Sequence, residues 1–291
     1  MAIGSMHVEW LSALARRSAI PPAAAVFELG PQDLWVDRAT LQLVARRHLS
    51  AAECERALSD IYDGETAKRD AQLPFYRIFG ASRYQALDLE DSRAQIRADL
   101  NRPLPKSVGT FDVVTNFGTT EHVFDIAQTF RSIHQLLSVG GVQLHTIAAY
   151  ACIDHGFYNV HPTAYLDMAE ANHYELVDVS YIDNINFRMA DLIKETPFDF
   201  SSLPIRLSDM ADTNAFMTKV ALRFCDNITM VSAAPPDPRY PLHTVFDMLF
   251  VALRKTRKSP TRFVLPAQRI YPRAAPKRTA LSALKDWVRS L

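Results

Sequence analysis

Cysteine is scarce in this sequence: Cys54, Cys152 and Cys225 are the only three, and they lie far apart. Without a C-x-x-C pair, neither a paired-cysteine zinc site nor a dithiol redox motif is signalled. The odd, sparse count excludes a disulfide scaffold and fits a reducing compartment, so a cytoplasmic protein is expected. Long apolar runs are missing too. A membrane-spanning helix needs about 18 consecutive apolar residues, whereas the best stretch, Leu242 to Leu253, is short and carries His243 and Asp247. No secretory signal is visible, and Met1 to Ser5 reads as a tag remnant ahead of a native Met6. No internal repeat occurs, which removes solenoids and propellers. Also absent is G-x-G-x-x-G, the pattern that brings a backbone against a pyrophosphate at a helix N-terminus.

Neither sign of charge is in excess: Lys+Arg and Asp+Glu each number 32. The balance hides an asymmetry. Residues 254–291 hold 11 Lys and Arg against one acid, Asp286, which leaves that segment at +10 and the rest at −10. A basic tail can meet a phosphate backbone, an anionic membrane or the acidic body of its own chain. Docking on the body is the simplest reading, because the segment lacks the aromatic interleaving of a single-strand binder.

What is present is ordinary globular composition, with 291 residues, 48% apolar and 22% charged. That length buries an adequate core without staples. Apolar spacing predicts a helix over Met6 to Arg17, stopped near Pro21-Pro22. It predicts strands over Ala24–Leu29, Tyr84–Leu89, Gln95–Ala98, Phe111–Asn116, Val142–Ala148, Glu175–Ile182 and Thr244–Leu253. Between them, residues 31–80 read as mostly helical. Ile126 to Leu137 reads as a helix ended by Gly140-Gly141, and Thr163 to Asn172 as a helix with Thr163 as N-cap. Strands alternating with helices predict an α/β fold, a doubly wound and mostly parallel seven-stranded sheet covered on both faces. The expected organisation is an N-terminal helical segment over 1–21, an α/β domain over 22–255 with insertions at 31–80 and 184–242, and a basic tail over 256–291.

Ligands in such sheets bind beyond the carboxyl ends of the strands. The residues expected there are Glu28-Leu29-Gly30, Asp88, Asp99 and Asn116-Phe117-Gly118. A glycine straight after the first strand lets a ligand approach the backbone. An acid after the second can accept both hydroxyls of a ribose, an acid after the third an exocyclic adenine amine, and Glu28 can balance an ammonium. Together they describe a site for a nucleoside carrying a cationic amino-acid arm.

This order and these motifs resemble the class I S-adenosylmethionine-dependent methyltransferases, over roughly residues 22–183 plus the last strand. The resemblance implies a Rossmann-like fold, S-adenosyl-L-methionine as cofactor and methyl transfer as the activity. It places the reduced glycine motif at E-L-G-P-Q-D with Glu28 and Gly30. The ribose acid would be Asp88 in A-L-D-L-E-D, with Leu89 beside it, and the adenine-side acid Asp99 in A-D-L-N-R-P-L-P, with Leu100 beside it. In F-D-V-V-T-N-F-G-T-T-E-H-V, Asn116, Phe117 and Gly118 fall at the cofactor, and Glu121-His122 stand where the family's motif often ends in Glu-His. The fifth-strand motif resembles L-L-S-V-G-G-V-Q-L-H-T. Two departures stand out. Gln32 and Leu34 replace the second and third glycines, and 57 residues separate Gly30 from Asp88, against about 20 in the dinucleotide spacing. The insertion this implies would serve as a lid or a homodimer surface.

The stretch D-H-G-F-Y-N-V-H-P-T, Asp154 to Thr163, follows the fifth strand on the ligand side. It offers His155, Tyr158 and His161 to an acceptor. A neutral imidazole suits removal of a hydroxyl proton near pH 7, which makes His122, His155 and His161 the candidate bases, with Glu121 and Tyr158 as acceptor contacts. H-x5-H with no cysteine or matching carboxylate set does not signal zinc, and Asp183-Asn184 comes after the sixth strand, so no metal is expected. Phe187, Met189, Phe198, Phe200, Phe216 and Met217 would wall the acceptor or simply pack a core. The expected function is methyl transfer to a small-molecule acceptor, on a hydroxyl, as a biosynthetic tailoring step. The alternatives are a non-catalytic cofactor-binding or scaffold subunit, suggested by the reduced glycine motif, and a nucleic-acid methyltransferase, suggested by the tail. Against the last stand the acidic body and the absence of N-P-P-Y or D-P-P-Y after the fourth strand.

Overall fold

The computed structural model describes residues 2–150, 155–182 and 247–268. In chain order the elements are β1 (Ala2–Ile3), α1 (Ser5–Arg16), β2 (Ala24–Leu29), β3 (Asp33–Leu34), α2 (Arg38–Ala45), α3 (Ala51–Ile61), β4 (Tyr62–Asp63), β5 (Thr66–Ala67), α4 (Gln72–Arg77), β6 (Ala81–Asp88), β7 (Ile96–Arg97), β8 (Phe111–Phe117), α5 (Ile126–Leu136), β9 (Leu137–Tyr150), α6 (Pro162–Ala171), β10 (Tyr174–Ile182) and β11 (Asp247–Lys255). Seven of the strands form one sheet in the order β10-β11-β9-β8-β2-β6-β7. Only β11 runs against its neighbours; the pairs β2–β6, β6–β7, β2–β8 and β8–β9 are parallel. The expected doubly wound, Rossmann-like sheet is what the chain forms.

Strand β2 lies inside the sheet between β8 and β6 and is buried along its whole length. Its residues alternate between two cores, as the period of a strand requires. Ala24 and Val26 join Trp10, Leu14 and Phe75 on one face, while Phe27 and Leu29 join Phe111, Ile133 and Leu136 of α5 on the other. The chain leaves β2 toward β6 and β7, then crosses back to β8 on the opposite side of β2. The strand order therefore reverses between β2 and β8. At such a reversal the connections lead away in opposite directions and leave a crevice at the carboxyl ends.

Several expectations need correction. The fifth strand begins at Leu137, not Val142, and Gly140-Gly141 lie inside it rather than ending α5. Gly140 takes φ +88°, and a Cβ at Gly141 would come within 2.9 Å of the Asp112 carbonyl, so both positions favour glycine within the strand. Helix α6 is capped at His161 with Pro162 opening it, not at Thr163. Residues 31–80 hold three short helices, the pairing of β4 with β5, and the short strand β3. β3 pairs in parallel with β1, and Ile3 is fully buried in the core. The start of the basic tail docks on the body. Lys255 donates to the carbonyls of His134 and Leu137 at the end of α5, and Asn172 exchanges hydrogen bonds with Val264. The 184–242 insertion with its six apolar residues, and the tail beyond residue 268, lie outside the described residues.

Candidate functional site

Gly30 follows β2 directly and takes φ +77°, a conformation open to glycine at little cost. Its N–H donates to the Leu87 carbonyl, 2.8 Å away, which fastens the end of β2 to β6. From the other side of the reversal, the Thr119 hydroxyl donates to the Leu29 carbonyl. A Cβ placed on Gly30 would lie 3.4 Å from Thr119 Oγ1, 3.5 Å from Asp88 Oδ2 and 3.8 Å from Gln32 Nε2. Three residues from three segments thus surround the one position without a side chain. Asp88 Oδ1 accepts from the backbone N–H groups of Glu90 and Asp91, which fixes the carboxyl and leaves Oδ2 on the Gly30 side.

Glu28 has a different role from the expected ammonium contact. It is fully buried and accepts from the Tyr76 hydroxyl at 2.6 Å, the Tyr84 hydroxyl at 2.6 Å and the Gln32 N–H at 3.2 Å. Burial raises its pKa, and the three donors pull the other way. Glu28 therefore anchors the turn that carries Gly30 and Gln32. Gln32 is 1% exposed; its Nε2 donates to the Gly30 carbonyl, while its Oε1 has no hydrogen-bond partner among the described residues. A buried acceptor left unpaired costs about 1–3 kcal/mol unless a ligand meets it.

The other expected cofactor residues divide. Asp99 caps its own turn, accepting from the backbone and side-chain amides of Asn101, with Arg102 at 3.8 Å. Those Asn101 bonds hold its pKa low, and its partners are Asn101 and Arg102, not Glu28 or Asp88, among the described residues. The three carboxylates thus do not share one set of free oxygens. Leu100 is buried with Phe111 and Leu104 in the core beside α5, whereas Leu89 stands 56% exposed past β6. The Phe117 ring packs against His7 and Trp10. Asn116 is buried within the protein's own network, donating to Thr120 Oγ1 and His145 Nδ1 and accepting from the Thr120 N–H. His145 donates in turn through Nε2 to Gln143, and burial pushes its pKa down to about 3. Gly118 takes φ +73° and donates to the Thr146 carbonyl, turning the chain into the segment that carries Thr119, Glu121 and His122.

Beyond Thr119 a second cluster forms. A short 3-10 turn, Thr120–His122, presents Glu121, which is 2% exposed. Its Oε1 lies 4.0 Å from His155 Nε2, and the His122 and His155 rings are 4.9 Å apart. Glu121 Oε2 has no hydrogen-bond partner among the described residues. Burial pushes the Glu121 pKa up to about 7 and draws that of His122 down. The buried Tyr165 hydroxyl also lacks a hydrogen-bond partner among the described residues, and its pKa is raised by burial and by the Glu121 charge. The loop is tied in through the backbone: Phe157 N–H donates to the Glu121 carbonyl at 2.7 Å. Tyr158 donates to the Phe124 carbonyl instead of pointing at this cluster, and exposed Phe124 and Phe157 meet edge to face at 5.6 Å. His161 stands exposed at the N-cap of α6, outside the Glu121–His122–His155 group.

Sequence reasoning missed Gln32, Thr119, Gly156 and Tyr165. Gln32 carried a signal, since it replaces a glycine beside Gly30. The role of Gly156 depends on a contact with a segment more than thirty positions away, which no local pattern reports.

No family model matches the chain, and no curated protein matches it. Solved structures do resemble it. An S-adenosylmethionine-dependent methyltransferase from Mesorhizobium loti is 15% identical, with 85% of this chain and 97% of that one covered and a TM-score of 0.38. The 1,6-didemethyltoxoflavin N1-methyltransferase of Burkholderia thailandensis, with 1,6-didemethyltoxoflavin and S-adenosylhomocysteine bound, is 12% identical, with coverage of 87% and 78% and a TM-score of 0.40. The N-methyltransferase NodS of Bradyrhizobium japonicum, in complex with S-adenosylhomocysteine, is 11% identical, with coverage of 86% and 87% and a TM-score of 0.35. The functional reading rests on this chain's own residues.

Proposed function

We propose that this chain is a class I S-adenosylmethionine-dependent methyltransferase that acts on a hydroxyl of a small-molecule acceptor in a biosynthetic step. The observation that carries the reading is the convergence at the strand reversal. Thr119 Oγ1, Asp88 Oδ2 and Gln32 Nε2 lie around the place a side chain on Gly30 would take, and Gln32 Oε1 is buried with no hydrogen-bond partner among the described residues. The donor set fits the cofactor: Asp88 Oδ2 would accept from ribose hydroxyls, Gln32 Oε1 from the ammonium, and Gly30 leaves the backbone open to close approach. Leu89, and the backbone of Leu100, Phe117 and Gly118, would complete the adenosyl side.

When bound, S-adenosylmethionine supplies a methyl group already activated by the adjacent sulfonium. The protein's task is then to hold the acceptor in line and to receive a proton. Thr119 stands beside Gly30 and Glu121 follows two residues later, so the Glu121–His122–His155 cluster would stand at the acceptor end. The acceptor's proton would pass to a neutral imidazole, His122 or His155, or to water if the cluster holds a cation. His161 and Tyr158 would contact the acceptor from the rim.

Calorimetric titration with S-adenosylhomocysteine tests the cofactor. One molecule per chain should bind with micromolar affinity. The absence of heat at millimolar ligand would favour the scaffold reading suggested by the missing glycines.

A further inference from the structure

Glu121, His122 and His155 come from two separate segments, yet a ligand atom of each lies within 4.8 Å of the others. Neighbouring residues in an extended chain face opposite ways; here the 3-10 turn at 120–122 brings both Glu121 and His122 toward His155. The backbone fixes this approach. Phe157 N–H donates to the Glu121 carbonyl, and a Cβ at Gly156 would fall 2.8 Å from that same oxygen, so only glycine permits the close passage. Independently, Glu121 is 2% exposed and its Oε2 lacks a hydrogen-bond partner among the described residues. A buried carboxylate requires donors or a cation to offset its desolvation.

We infer that Glu121, His122 and His155 bind one divalent first-row transition-metal ion. Two imidazoles and one carboxylate form a donor set of the zinc and iron type, unlike the all-oxygen shells of calcium and magnesium. Ligands about 2.0–2.2 Å from a common ion lie about 3–3.6 Å from one another. The present spacing reaches that arrangement by side-chain shifts of about 1 Å. Three protein ligands leave coordination positions open, as in sites where a metal meets substrate. An acceptor hydroxyl bound there becomes more acidic and releases its proton to water. In that state His122 and His155 are ligands rather than bases. Ion binding itself is independent of the methyl-transfer reading; only the role of the ion rests on it.

Cobalt(II) is the probe, titrated into the metal-free full chain and followed by visible d–d absorption. One equivalent should bind with micromolar or tighter affinity. Glu121→Gln, His122→Ala and His155→Ala should each weaken binding at least tenfold, with circular dichroism confirming that the variants fold. His173→Asn, a change at an exposed site with φ +50° where asparagine is tolerated, should leave binding unchanged. Three results would overturn the assignment: no saturable binding, binding indifferent to the three ligand variants, or a thiolate charge-transfer band that places the ion on cysteine. Titration of the same samples with S-adenosylhomocysteine reports separately on the Gly30 opening, which contributes no ligand to the ion.

Discussion

Gly30→Ala separates a structural role for this glycine from a ligand-binding one. The added methyl would sit 3.4 Å from Thr119 Oγ1 and 3.5 Å from Asp88 Oδ2, ordinary contact distances, so the protein has room for it. The folding cost is then mainly that of holding alanine at φ +77°, about 1–2 kcal/mol. For a chain of this size that corresponds to a melting point lower by about 2–6 °C. The methyl would nevertheless take the place between Thr119 and Asp88 that the proposed cofactor site needs clear. The expected loss of S-adenosylhomocysteine affinity is about 100-fold or more, equivalent to about 2.7 kcal/mol. Calorimetry gives the affinity and a thermal melt gives the stability. A folded G30A protein that binds S-adenosylhomocysteine within about threefold of the wild type would refute the placement of the cofactor.

Other expected outcomes follow from particular contacts. Asp88→Ala should raise the dissociation constant for S-adenosylhomocysteine by about 5- to 150-fold, the effect of about 1–3 kcal/mol from unpaired ribose hydroxyls; an unchanged titration would tell against that carboxylate. Gly156→Ala forces the His155 loop away from the Glu121 carbonyl, from 2.8 Å to normal contact, at an overpacking cost of about 1–3 kcal/mol. Cobalt binding should weaken with it, and retained affinity would show that the loop does not set the cluster. Tyr76→Phe removes one donor from buried Glu28 and should lower stability by about 1–3 kcal/mol in urea melts, an effect that a merely space-filling Tyr76 would not produce. Finally, burial holds the pKa of His145 near about 3 and that of His7 near about 4, below the unfolded value of 6.5. The folded state therefore binds fewer protons than the unfolded chain between these values. Stability is intact above about pH 6.5 and falls as the pH drops toward 4, by up to about 2.7 kcal/mol for each residue at pH 4.5. Urea midpoints that do not change between pH 7.5 and 4.5 would contradict this.

Much of the scaffold was legible because its signals are local. The apolar run Ala24–Leu29 with a glycine behind it is a buried interior strand at those same bounds, and the alternation of strands with helices gives the doubly wound sheet. The misreadings also have local causes. A Gly-Gly pair after a helix resembles a stop signal, yet Gly141 serves a close approach to the Asp112 carbonyl of β8 that exists only once those strands pair, and Gly140 a positive φ within β9. Ile3 gave no sign of belonging to the core, because its burial depends on β1 reaching β3 some thirty residues away.

At the site the same division holds. The sequence by itself determined which residue types stand at the strand ends, Gly30, Asp88 and Glu121-His122 among them, since their positions follow from element boundaries. Only the tertiary structure decided what each side chain meets. It turned Glu28 onto two tyrosines, closed Asp99 on its own turn and buried Asn116 in a network with His145. It also drew His155 against Glu121, more than thirty positions away, through a glycine that leaves room for the Glu121 carbonyl. Side-chain partners depend on how the ends of separate strands come together in space, and no periodicity along the chain encodes those distances.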